Sequence, residues 1–203
     1  MATHPRTRLA PAARREEILN TARRLFAERG YGAVSASEVA REAGVTLGLL
    51  DHYFGSKRGL FIALVERLGP QILEVIHVDT GKPVHVRTRS SATSWLDWLD
   101  VNREAWLATA GLDDNLTDPE TRATVEELRE RVIDCLIADY PATLSDRPDI
   151  RLMLRSFIAF HRVVLRGWLG GEASRAEAER LLAHTLHTLI TNVAPKLGSP
   201  PTE

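Results

Sequence analysis

In the stretch SASEVAREAGVTLGLLDHYFGSKRGL, Ala40 is followed four residues later by Gly44 and six residues after that by Leu50. This spacing limits the fold more than any other feature of the chain. Two helices that cross closely need a small residue at the crossing and a glycine where the turn goes left-handed. They also need an apolar residue inside the second helix. Ala40, Gly44 and Leu50 meet these needs in order, and Val39 and Val45 add core contacts. Ser35, with Glu38 three residues on, has capping-box spacing for the first of these helices, and Thr46 is a good N-cap for the second. Upstream, Ile18, Ala22, Leu25 and Phe26 recur at helical spacing in EEILNTARRLFAERG, and Gly30 and Gly32 end that helix. Ser56 can cap a fourth helix from Lys57 that carries Leu60, Phe61, Leu64, Val65 and Leu68.

The same periodicity continues. Helices are expected at roughly 90–110, 119–139, 148–169 and 174–194, with Pro195 ending the last. Gly69-Pro70 breaks or bends the fourth helix, although QILEVIHV can continue it, and DTGKPVHVRTRSS (79–91) is the best loop or linker candidate. VHVRT alternates but is short and has no partner, so no convincing strand is present. The expected fold is all-α, with about nine helices. A three-helix helix-turn-helix domain spans 1–56 and a larger helical domain spans 57–203. Hydrophobic residues at 44% can bury a core, and no run of 18 apolar residues spans a membrane. The N-terminus lacks the apolar stretch of a signal peptide, so a cytoplasmic location is expected. The lone Cys135 excludes an internal disulfide and reads as a small core residue. Residues 1–60 carry ten Lys/Arg against six Asp/Glu, while the remainder is net acidic. A basic head on an acidic body fits a nucleic-acid partner, though this signal is weak alone.

With the turn, the caps and the preceding amphipathic helix in register, residues 14–68 resemble the DNA-binding region of the tetracycline-repressor (TetR) family of bacterial transcriptional regulators. The Gly-Val-Thr turn, the aromatic end of the second helix and the Ser-Lys opening of the fourth carry the resemblance. It implies a homodimer that binds a (pseudo)palindromic double-stranded operator, most often as a repressor, and responds to a small-molecule effector. The second helix of the pair would lie in the major groove. Candidate DNA contacts are Ser35, Ser37, Thr46, Leu47, Gly48, Leu49, His52, Tyr53 and Lys57. Lys57 joins a cation to a helix N-terminus, a ready phosphate site. Arg6, Arg8, Arg14 and Arg15 form either an arm over the DNA or a solvated tail. The chain departs from the family at Leu47, Leu49 and Asp51, where polar residues or tyrosine are common. Leu47 and Leu49 can pack on thymine methyls. Asp51 can repel phosphate, accept from a cytosine amine, or turn inward to an arginine.

In the larger domain, Trp95, Trp98, Trp106, Phe157 and His161 are candidate walls of an effector pocket, or plain core. Leu182, Leu186, Leu189 and Val193 form a stripe that suits a dimer interface built on the last two long helices, or else the chain's own core. The alternative functions are a small all-α enzyme or a helical protein-interaction module. No HExxH, nucleophile elbow or phosphate-cradling loop supports the enzyme, and the dispersed histidines support no metal, so no cofactor is expected.

Overall fold

The computed structural model describes residues 10–109 and 118–197. Among them are eight α-helices and no strand: α1 (Pro11–Arg29), α2 (Ala36–Glu42), α3 (Leu47–Phe54), α4 (Lys57–Ile76), α5 (Val84–Ala108), α6 (Pro119–Asp139), α7 (Pro148–Leu169) and α8 (Arg175–Thr188). A π turn over Leu189–Val193 and a 3-10 turn over Ala194–Lys196 prolong the last helix through Pro195. No helix among the described residues is long and apolar enough to cross a membrane.

The helix borders follow local chemistry. Proline is well placed at the first position of a helix, where its missing N–H has no partner to lose. It opens α1 at Pro11 and α7 at Pro148. α1 therefore begins earlier than its apolar stripe suggests, and it takes in Arg14 and Arg15, expected in an arm or a solvated tail. Arg14 pairs with Glu17 at 2.6 Å, and the Arg15 guanidinium lies 5.0 Å from the Phe54 ring centre. Arg6 and Arg8 lie outside the described residues. Gly30, at φ 82°, ends α1, and its N–H donates to the Phe26 carbonyl at 2.9 Å. α4 runs through Pro70, which lies on an exposed part of the helix together with Glu66 one turn earlier. The expected 79–91 loop is shorter, because α5 already begins at Val84. α5 kinks at Asn102 (φ −111°, ψ 20°), whose side-chain amide donates to the Trp98 carbonyl at 2.9 Å, so its backbone counts as two helices.

The chain divides into two compact units. One takes the described residues up to Arg67 together with those of 104–122, and the other takes 68–103 and 123–197. In the first unit, Ile18, Leu19, Ala22, Leu25 and Phe26 of α1 are buried, as are Val39, Ala40, Leu50, Leu60 and Phe61. The unit continues into α4, past residue 56, because Phe61 packs at 6.5 Å from Phe26 and 4.8 Å from Tyr31. In the second unit, one apolar core joins Ile133, Leu136 and Tyr140 of α6, Ile150, Leu154 and Phe157 of α7, and Leu186 of α8 with Ile190. Cys135 is half-buried on α6, and burial pushes its thiol pKa up, which keeps it protonated.

Candidate nucleic-acid interface

α2 and α3 cross through the turn at Gly44, which has φ 65°, a left-handed conformation that glycine adopts without steric cost. The Val45 N–H donates to the Ala40 carbonyl at 2.9 Å and the Gly44 N–H to the Arg41 carbonyl at 3.1 Å, which closes the turn. Three hydroxyls then set the helix starts. Ser35 Oγ accepts from the Glu38 N–H at 3.2 Å, Thr46 Oγ1 from the Leu49 N–H at 3.2 Å, and Ser56 Oγ from the Gly59 N–H at 3.1 Å. Each cap uses an oxygen lone pair and leaves the O–H able to donate. Ser35 and Thr46 are exposed, so capping and giving a proton to a phosphate oxygen are compatible.

The Ser35 cap is tied into a wider contact. The Glu38 carboxylate pairs with Arg29 at the end of α1, and this contact, with a smaller contribution from the Ser35 backbone N–H, holds its pKa below the ordinary value. The pair ties α1 to α2. The full capping box belongs to α8, where Ser174 and Glu177 bond reciprocally.

On α3, Leu50 and Phe54 are buried, while Leu47, Gly48, Asp51 and His52 are exposed and Leu49 and Tyr53 are half-buried. A Cβ added to Gly48 would meet nothing within 4 Å. Ser37 is exposed on α2. The sequence-expected contacts thus share the α2–α3 region, with Leu49 and Tyr53 less open than the rest. Lys57 is half-buried, its Nζ 4.1 Å from the centre of the Tyr31 ring, and burial lowers its pKa. A cation over an aromatic face is held in place while it keeps its charge. Tyr31, which sequence reading passed over, is therefore what positions Lys57. Its own pKa is raised, mainly by burial. A lysine and an aromatic ring 26 residues apart give no local signal of this pairing.

The candidate effector residues separate. Trp95 and Trp98 stack at 5.1 Å with planes 11° apart, Trp95 lies 5.5 Å from His161, and His161 lies 6.2 Å from Phe157. Burial, with the Arg162 charge beside it, pushes the His161 pKa down to about 4, so the imidazole is neutral at pH 7. Trp106 is buried in the other compact unit. Among the expected dimer residues, Leu182 and Leu186 are buried within the chain, and Leu189 and Val193 pack against the same core. Leu189 and Val193 stay half-buried, so only part of that stripe is spent on the protomer's own interior. No cluster of three potential metal ligands exists among the described residues.

A family model described as "Bacterial regulatory proteins, tetR family" matches residues 18–64, and one described as "Tetracyclin repressor-like, C-terminal domain" matches residues 84–189. The chain is 28% identical over 173 residues to the HTH-type transcriptional repressor AcnR of Corynebacterium efficiens, covering 84% of this chain and 88% of that protein. With AcnR of Corynebacterium glutamicum the identity is 33% over 94 residues, 46% of this chain and 50% of the relative. The crystal structure of a tetR-family regulator from Streptomyces coelicolor shares the fold, with a TM-score of 0.72 at 23% identity, over 92% of this chain and 83% of that one. The helix-turn-helix of α2 and α3 lies within the first matched segment, and the second alone covers more than half of the chain. The chain belongs to the tetR family of bacterial regulatory proteins and is a DNA-binding transcriptional regulator.

Proposed function

We propose that the protein is a homodimeric repressor that places α3 in the major groove of a (pseudo)palindromic operator and leaves it when a small effector binds the larger unit. The observation that carries this reading is the open face of α3. Leu47, Gly48, Asp51 and His52 are exposed on an eight-residue helix whose Leu50 and Phe54 are buried. Thr46, Ser35 and Ser37 supply hydroxyl donors beside it, and Lys57 supplies a fixed cation for a phosphate. The curated relatives named AcnR are repressors, which favours the same sign of regulation here.

Gly48 tests this reading because its surroundings are empty. Gly48→Ala fits the helix and raises stability by about 0.5–1 kcal/mol. Gly48→Glu also fits, yet it places a carboxylate where DNA approaches, so operator affinity falls at least about a hundredfold. Thermal unfolding and duplex binding measured on both variants check this. Unchanged DNA affinity in a folded Gly48→Glu protein would place the interface elsewhere.

For the dimer, the open surfaces of α7 and α8 favour a second copy. Leu152, Ser156, Ala159 and Val163 are exposed at spacings of four, three and four along α7, and Leu181 is exposed on α8. Such spacing forms one continuous helix face. For the effector, the Trp95–Trp98–His161–Phe157 cluster suits a largely apolar, planar molecule. The Trp95 Nε1 is buried without a hydrogen-bond partner and offers such a molecule one donor.

A further inference from the structure

Asp51 is an anion on the face that must meet a polyanion. It is exposed one turn beyond Leu47, and no hydrogen bond or ion pair holds its carboxylate. The other carboxylates of the chain up to residue 57 behave differently. Glu16, Glu17, Glu28, Glu38 and Glu42 each pair with an arginine. An inward structural role for Asp51 is thereby removed. A role at the phosphates is removed by chemistry, since a carboxylate and a phosphate both offer only acceptors.

What remains is a base edge. In the major groove two groups donate, the N4 amine of cytosine and the N6 amine of adenine. The adenine amine lies beside the N7 acceptor, which opposes a carboxylate, whereas a cytosine presents its donor without that neighbour. Leu47 is 42% exposed and purely apolar, which matches the C5-methyl of thymine. Four helical residues rise ~6 Å, and successive bases on one strand are ~3.4 Å apart, so the two contacts fall within about two base steps.

We propose that Asp51 is a specificity-determining residue that accepts from the N4 amine of a cytosine in each operator half-site, with Leu47 against a thymine methyl within two base steps. This rests on α3 occupying the major groove and adds the base identity.

The test is selection of bound duplexes from a random pool with the full-length wild type, Asp51→Asn and Asp51→Ala. The wild type enriches one cytosine per half-site with a thymine nearby. Asp51→Asn moves that position to adenine, since an amide offers both the donor and the acceptor that adenine needs. Asp51→Ala loses preference there and keeps the rest of the motif. In a direct titration, changing the cytosine pair to a thymine–adenine pair weakens the wild type by about tenfold to a hundredfold and Asp51→Ala by far less. The proposal is overturned if all three proteins select one motif, or if Asp51→Ala tightens every duplex equally, which would make Asp51 a mere repulsive charge. A wild type that binds no duplex at all refutes the groove placement itself, and with it the base assignment. A wild type that selects a clear motif unaffected by Asp51 refutes the assignment alone.

Discussion

Gly59 lies in the first turn of α4, where a Cβ would sit 1.9 Å from the Phe54 carbonyl oxygen and 3.1 Å from its carbon. The neighbour is backbone and cannot rotate away, so the corner between α3 and α4 closes only around glycine. Gly59→Ala therefore forces the corner open and destabilises the first unit by about 1–3 kcal/mol, the usual cost of overpacking. Denaturant unfolding of the full chain measures it, and a loss below the error of the method would count against the corner as described. His161 makes a second prediction at this scale. Its folded pKa, about 4, lies below the ordinary 6.5, so its contribution to stability is present above 6.5 and is lost as pH falls from there toward 4. The paired carboxylates Glu38, Glu130 and Asp146 have lowered values, so their contribution disappears only below the ordinary carboxylate range of about 4 to 4.5. From pH 6.5 to 5 those three carboxylates stay ionised, so the difference between wild type and His161→Leu reports this imidazole. His161→Leu reduces the fall of the melting temperature across that window relative to the wild type. Equal slopes would contradict a neutral His161.

At the scale of elements, the start of α4 carries the sharpest expectation. Lys57 is held over Tyr31, and a phosphate contact carries no base information. Lys57→Ala therefore weakens all duplexes alike and reduces the log–log salt slope by about 0.9. A changed sequence preference in binding selection would show that Lys57 reads bases instead. The borders of α6 and α7 and the caps of α2, α3 and α4 were legible in the sequence, because capping serines, threonines and prolines act on their nearest neighbours. The start of α5 was not. VHVRT falls within the expected loop, but Arg87 is 8% exposed there, donates to the Asp139 carbonyl at the end of α6 at 2.6 Å and lies 4.2 Å from the centre of the Tyr140 ring. A cation at a helix C-terminus is favourable, yet it is a long-range fact that no local window contains. The α8 stripe shows a different limit. Its periodicity was readable, but Leu182 and Leu186 fill the protomer's own core, and periodicity does not say which neighbour a face will meet. Of the interface, Thr46, Gly48 and Ser35 were readable from turn chemistry, whereas the Tyr31–Lys57 and Arg29–Glu38 pairs needed the fold.

Pairing two chains, as proposed, brings two copies of α3 to one operator. Leu152 and Val163 are 62% and 68% exposed on one face of α7. Replacing both with Glu leaves the fold intact, because neither is buried, but places like charges in the proposed dimer seam. Sedimentation then reports a monomer, and operator affinity falls by at least about tenfold as one half-site contact is lost. A double variant that stays dimeric would move the seam to another face. The central claim, that this chain grips duplex DNA through the α2–α3 region, is met most directly by the affinity of the full-length protein for a selected duplex as a function of salt. The expected result is a linear log–log fall with a slope near −0.9 for each phosphate neutralised, lost along with binding in Gly48→Glu. An affinity that does not change with salt, or that is the same for wild type and Gly48→Glu, would contradict it.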